Sequence, residues 1–281
     1  MIKTAFKCQV NQVKNNKSIS VALLLLALMV VYIGYQSGHL KQSLVYLPAL
    51  WLCTFIIDLY LFWKPSQQTF EVKNSKRESL YIILSAILGS VFLLIRFSGH
   101  WEQFTGLTKL MVMPLLLCTF PIALAVIMLV LKYKPKDLGF RLPFLIPALP
   151  VIFIIGLSTY FIAPLNIKFT EAISQEGLLA TLFTGIITAA LAEEFWRLLA
   201  QTRLAVLFNN AALGWLIASI IWAFMHTPKW YYESHNFYET IFGAIRIIPI
   251  GLMWGYMTYK TKSIFPAILV HGTNLWGLQN F

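Results

Sequence analysis

Two adjacent carboxylates and a cation lie inside one of the most apolar stretches of the chain. They are Glu193, Glu194 and Arg197, in the segment LAEEFWRLLAQ. On a helix each carboxylate can reach the guanidinium, because residues three and four apart share a face. One arginine neutralises only one of two carboxylates, so the other must be protonated, paired elsewhere or exposed to water. A carboxylate that meets water in an apolar site is a candidate general base.

A histidine is predicted to face the first of these carboxylates across a helical hairpin. The pair Asn209 and Asn210 is the turn signal between two apolar stretches. Glu193 lies 16 residues before Asn209, and His226 lies 16 residues after Asn210. Equal distances from the turn give equal depth, about 24 Å at 1.5 Å per residue. We therefore expect Glu193 and His226 to face each other.

Three further polar residues in apolar stretches are candidate site residues. His271 and Asn274 are three apart in ILVHGTNLW, so they share a helix face. Arg246 can pair with Glu194 or bind a carboxylate of a substrate. Ionisable groups at membrane depth are costly, about 2.5–3.5 kcal/mol each on insertion scales, and are functional candidates for that reason.

This set of side chains allows two chemistries. Glu193 and His226 can activate a water for attack on an amide, while His271 and Asn274 donate hydrogen bonds to the oxyanion. Alternatively, Glu193 and the two histidines can ligate Zn²⁺ with an open position for water. The HExxH spacing of zinc peptidases is absent. No cofactor is therefore expected to be required, and zinc is the less favoured alternative.

The composition places these residues in a membrane. The 281 residues are 58% hydrophobic and 12% charged, whereas soluble domains carry about 25% charged residues. Apolar runs long enough to cross a bilayer recur along the chain and predict an all-α polytopic membrane protein, a helical bundle with a central polar cavity. The nine predicted spans are Ser20–Ser37, Leu44–Trp63, Leu80–Arg96, Leu110–Leu131, Pro143–Pro164, Gly177–Phe208, Ala212–His226, Ile241–Tyr259 and Ile264–Phe281.

The basic residues predict the orientation of the chain. Lys and Arg number four before the first span, then one, four, two and four in the next four loops. This alternation predicts a cytoplasmic N-terminus and, with nine spans, a C-terminus on the opposite side. The net charge of +11 is spread over many loops rather than one face, so the expected partner is the lipid bilayer and not nucleic acid.

Three motifs resemble those of the CAAX protease and bacteriocin-processing family of intramembrane endopeptidases, which includes the Rce-like prenyl-protein endopeptidases. AEEFWR, WAFMH and HGTN stand in the order of the family motifs EExxxR, FxxxH and HxxxN. The resemblance runs from about Lys134 to Phe281. It implies a protease core at residues 133–281 with about five spans, preceded by an extension at residues 1–132 with about four. The expected location is a bacterial cell membrane.

The resemblance also implies roles for individual residues. Glu193 and His226 would activate water, and His271 and Asn274 would stabilise the oxyanion. Glu194 corresponds to the second glutamate, and Arg197 to the arginine. Arg246 lies outside the motifs and is a supporting candidate on its own chemistry alone. The expected substrate is a peptide or protein in the membrane.

The chain departs from the family pattern at three points. The first motif reads EExxR, the last reads HxxN, and Trp222 stands where the family has phenylalanine. We align the first motif on its glutamates, since the hairpin independently sets Glu193 level with His226. The departures leave open a second hypothesis, a catalytically inactive member that binds peptides as an immunity or chaperone-like protein. A transporter is the third, and the absence of a visible inverted repeat disfavours it.

Overall fold

The structure is a computed structural model of the chain. It describes residues 2–63, 69–97, 124–126, 128–142, 146–162, 177, 185–186, 190–273 and 277–281. Within these ranges the regular elements are helices, with no strand. The predicted all-α class is confirmed.

The helices are numbered here in chain order. They are α1 (Ile2–Asn15), α2 (Lys17–Gln36), α3 (Leu40–Trp63), α4 (Ser75–Phe97), α5 (Ala148–Ile162), α6 (Leu191–Leu207), α7 (Ala211–Phe224), α8 (Thr227–Ser234), α9 (Phe237–Thr261) and α10 (Phe265–Gly272). A short 3₁₀ helix spans Pro135–Leu138.

Four helical stretches of the described residues are long and apolar enough to cross a membrane. They are Lys17–Gln36, Leu40–Phe62, Ala211–Ser234 and Phe237–Thr261. These stretches make the chain an integral membrane protein, but they do not confirm the count of nine spans. Most of the predicted span Leu110–Leu131, and the first part of Gly177–Phe208, lie outside the described residues. The orientation of the termini and the division at residue 132 remain predictions.

Helix α9 is the centre of the bundle. It packs against α2, α3, α6, α7, α8 and α10. Its most apolar window is 72% buried inside the protein, against 22% for the corresponding window of α2. The exposed face of α2 carries Leu24, Leu25 and Leu28, and such an apolar outer face suits lipid rather than water. The position of α9 is therefore fixed by its neighbours on several sides, so its residues can form one wall of a site.

The predicted hairpin between α6 and α7 is present. Asn209 has a left-handed φ of 49°, and the side chain of Asn210 caps α7 by accepting a hydrogen bond from the backbone N–H of Leu213 at 3.0 Å. The helices then run close together: a Cβ on Gly214 would come within 2.4 Å of the backbone nitrogen of Ala205. The asparagine pair therefore makes the turn on which the depth comparison rested.

A second glycine sets the spacing of α7 and α9. A Cβ on Gly251 would lie 2.7 Å from the indole ring of Trp222. Real Cβ atoms are not found so close to a rigid ring, so any larger residue at this position would displace the indole. Gly251 therefore fixes where Trp222 lies.

The last helix is shorter than its predicted span Ile264–Phe281, because α10 ends at Gly272. The described C-terminal residues 277–281 are not helical. Their carbonyl groups are satisfied instead from α3, where the Gln42 side chain donates to the carbonyls of Leu278 and Asn280 at 3.0 and 3.1 Å. The predicted span therefore does not continue as a helix to Phe281, and the described C-terminal residues are held against α3 instead.

Candidate active site

Glu193 and His226 face each other across the hairpin. Glu193 Oε2 lies 3.6 Å from His226 Nε2, and the two side chains are 29% and 27% exposed. This separation is too long for a direct hydrogen bond. It leaves both acceptor atoms able to share a water molecule, and the partial exposure gives water access to them.

The ring of His226 is oriented by two contacts. Nδ1 lies 3.0 Å from the backbone carbonyl oxygen of Trp222. A carbonyl can only accept, so Nδ1 carries the proton and, in the neutral ring, Nε2 keeps its lone pair. The indole of Trp230 stacks on the other side of the ring, with centroids 5.5 Å apart. The basic nitrogen of His226 therefore faces Glu193.

His271 joins the same cluster from α10. Its Nε2 is 3.7 Å from Glu193 Oε2, and its Nδ1 is 2.8 Å from Glu194 Oε1. The ring stacks on Trp254 with centroids 3.7 Å apart and an interplanar angle of 13°. The structure thus brings the second predicted histidine to within 3.7 Å of the first carboxylate.

The two glutamates have different partners. Glu194 forms an ion pair with Arg197, and both side chains are 1% exposed. The guanidinium also lies 4.0 Å above the ring of Trp222, a cation–π contact. Glu193 forms no ion pair with the arginine and is left with the two histidines. The carboxylate in excess is therefore Glu193, the one that meets solvent.

Trp222 is the site residue that sequence reasoning missed. By sequence it is only an aromatic exchange for phenylalanine, whereas in the structure its indole Nε1 donates a hydrogen bond to Glu193 Oε2 at 2.7 Å. Its carbonyl also orients His226. The available signal was the polar N–H of a tryptophan in an apolar helix, which needs an acceptor when buried.

Two other predicted site residues are not placed in this cluster. Asn274 lies outside the described residues. Arg246 does not pair with Glu194, which forms its ion pair with Arg197. Arg246 lines a neighbouring cavity instead. Among the described residues no set of three or more His, Cys, Asp or Glu side chains is arranged to hold a metal ion.

The fold and the cluster define a class of protein: a polytopic helical membrane protein with a carboxylate–histidine site inside its bundle. Residues 174–276 match the family model of the type II CAAX prenyl endopeptidase Rce1-like proteins. This match confirms the resemblance for that part of the chain and points to an intramembrane protease. The match begins later than the predicted Lys134 and contains all the clustered residues. No curated protein and no solved structure matched the chain.

Proposed function

We propose that the protein is an intramembrane endopeptidase that hydrolyses a peptide bond of a membrane-associated protein or peptide, without a required metal. The observation that supports this most strongly is the approach of Glu193 to His226 inside the family-matched region, 3.6 Å apart and open to water. A coupled carboxylate and imidazole at this distance can hold and deprotonate one water molecule.

In the proposed mechanism a water donates one hydrogen bond to Glu193 and one to His226. Glu193 takes a proton as the water oxygen bonds to the carbonyl carbon of the substrate. The carbonyl oxygen then carries the negative charge of the tetrahedral intermediate. When the C–N bond breaks, the proton held by Glu193 passes to the leaving amine, so the enzyme returns to its starting state.

We assign the stabilisation of the oxyanion to His271. Glu194 fixes the Nδ1 proton of this ring, so a second proton on Nε2 would make it a charged donor beside Glu193. With one imidazolium, the charges of Glu193, Glu194 and Arg197 sum to zero, as a buried cluster favours. Asn274 is the second proposed donor, on the family resemblance.

Reconstitution tests the function directly. We would place the chain in liposomes with peptides anchored by an N-terminal acyl chain and randomised near the C-terminus, and follow cleavage by mass spectrometry. His226→Ala should lower the rate by about 10²- to 10⁴-fold, and 1,10-phenanthroline should leave it unchanged. His39→Ala, at an exposed position, is the matched control. Equal rates for wild type and His226→Ala would refute the proposed mechanism. Inhibition by the chelator would instead favour the alternative mechanism that depends on zinc.

Trp222→Phe should lower kcat by about tenfold while leaving the protein folded. Phenylalanine fills most of the same space and keeps the backbone carbonyl for His226, but it lacks the N–H that holds Glu193 Oε2. A lost hydrogen bond to a charged acceptor is worth about 1.5–3 kcal/mol. The measurement is kcat and KM on one cleaved peptide, with thermal unfolding as a check on folding. An unchanged kcat would show that the indole only fills space.

A further inference from the structure

A cavity adjoins the Glu193–His226 site. It has a volume of about 570 Å³ and lies between α2, α8 and α9, within the size range of small-ligand pockets. Trp230 lines it, and the same indole stacks on the ring of His226. The cavity and the candidate active site therefore share a wall.

One face of α9 forms the floor of this cavity. Glu239, Phe242, Gly243 and Arg246 are spaced three, four and seven residues along the helix, which places them in one stripe. A Cβ on Gly243 would lie 3.0 Å from the Trp230 ring. The glycine thus lets the indole lie against the helix between the acidic and the basic residue.

Arg246 has no anionic partner among the described residues. Its Nε is buried and makes no hydrogen bond there, and no described carboxylate is within ion-pair distance. The guanidinium lies 5.5 Å from the ring centroid of Phe281, an apolar neighbour. A guanidinium in such a position is matched in geometry and charge to a carboxylate, which it can bind through two parallel hydrogen bonds.

Two carboxylates line the exposed part of the same cavity. Glu233 is 53% exposed and lies 3.7 Å from Lys229, which offsets part of its charge. Glu239 is also exposed, and its described contact is with the neutral amide of Asn236 at 3.5 Å. A ligand whose carboxylate binds Arg246 would therefore place its other groups near two negative side chains. Glu239 contributes most of this negative charge, because Lys229 offsets part of the charge of Glu233.

We propose that Arg246 binds the terminal carboxylate of the peptide substrate, and that Glu239 selects the side chain of its last residue. A basic last residue is favoured and an acidic one is repelled. This inference rests on the proposed function. The distance from Arg246 to the candidate active site suits such a peptide. Arg246 lies eight residues before Trp254 on α9, about 12 Å along the helix axis, and Trp254 stacks on His271 of the site. A short extended peptide segment covers that distance.

Binding and cleavage of matched peptides test the subsite separately from catalysis. The probes are acyl-anchored peptides that differ only in a free or amidated C-terminus, each ending in Lys, Ala or Glu. Binding is measured by fluorescence anisotropy on full-length Glu193→Gln in micelles, and cleavage on the wild type. The free acid should bind about tenfold tighter than the amide, the scale of a charge-assisted pair. The order of affinity should be Lys, then Ala, then Glu.

Two variants assign these effects. Arg246→Gln should abolish the preference for the acid, whereas Glu239→Gln should abolish the ranking of last residues and keep that preference. Equal binding of the acid and the amide overturns the subsite, and the KM values of the wild type for the two peptides repeat the comparison without a variant that must fold. The labelled peptide can also be challenged with unlabelled competitors. Displacement by phosphatidylethanolamine vesicles but not by unlabelled peptide acids would assign the cavity to a lipid headgroup and would also overturn the subsite. An acid preference without any cleavage would instead support the subsite and count against the proposed function.

Discussion

Glu193→Gln is expected to lower the cleavage rate by about 10³-fold while the protein remains folded. The amide keeps the size of the side chain, and its oxygen still accepts the indole hydrogen bond of Trp222. It cannot take a proton from water, so the shared water next to His226 loses its base. The measurement is kcat on a cleaved peptide in liposomes. Thermal unfolding in the same lipid should give an unchanged midpoint.

The adjacent glutamate is the informative comparison. Glu194 is 1% exposed and bound to both Arg197 and His271. Glu194→Gln leaves the arginine buried without its counter-charge, a change that costs about 3–5 kcal/mol in other buried pairs. We therefore expect the two variants to differ: Glu193→Gln should lower mainly the cleavage rate, whereas Glu194→Gln should lower mainly the free energy of unfolding.

An exposed carboxylate serves as the matched control for both variants. Glu71 is 51% exposed and lies 3.9 Å from Lys73 in the loop before α4, so Glu71→Gln should change neither rate nor stability. A folded, inactive Glu194→Gln together with an active Glu193→Gln would move the base to Glu194.

The central geometry of the site was predictable because it depends only on helix rise and one turn. The Asn209–Asn210 pair marks the turn, and equal counting from it places Glu193 and His226 at one depth. Their 3.6 Å approach also requires that the two helices are rotated so that both side chains point into the same space, which the count does not supply. The departures from the family motifs did not prevent this, since the depth of a side chain depends on its distance from the turn and not on the neighbouring residues of the motif.

The partners of these residues were not predictable in the same way. Which glutamate takes Arg197 depends on the rotation of α6 against α7 and α10, and no spacing rule supplies it. The donation from Trp222 to Glu193 requires Gly251 on another helix to make room for the indole. The hydrogen bond that holds Leu278 comes from Gln42, far away in sequence. Each of these features is a tertiary contact and leaves no local periodic signal.

The largest expected effect on stability comes from a buried ion pair between α6 and α4. Arg203, on α6, donates from Nε to Glu78 Oε2 on α4 at 2.8 Å, and both side chains are at most 1% exposed. Glu78 also accepts from the Tyr133 hydroxyl at 2.6 Å. This network joins the helix that carries Glu193 to Glu78 and Tyr133, which lie outside the family-matched region.

Arg203→Met should lower the free energy of unfolding by about 3–5 kcal/mol, because it leaves Glu78 buried without its cation. The measurement is chemical denaturation in detergent micelles, followed by tryptophan fluorescence. Adding Glu78→Gln should recover most of the loss, since the uncharged side chain still accepts from Tyr133 and no charge remains buried. Lys76→Met, exposed in the same turn of α4, should have little effect. If the double variant were no more stable than Arg203→Met, packing of the arginine, rather than the unpaired charge, would account for the loss.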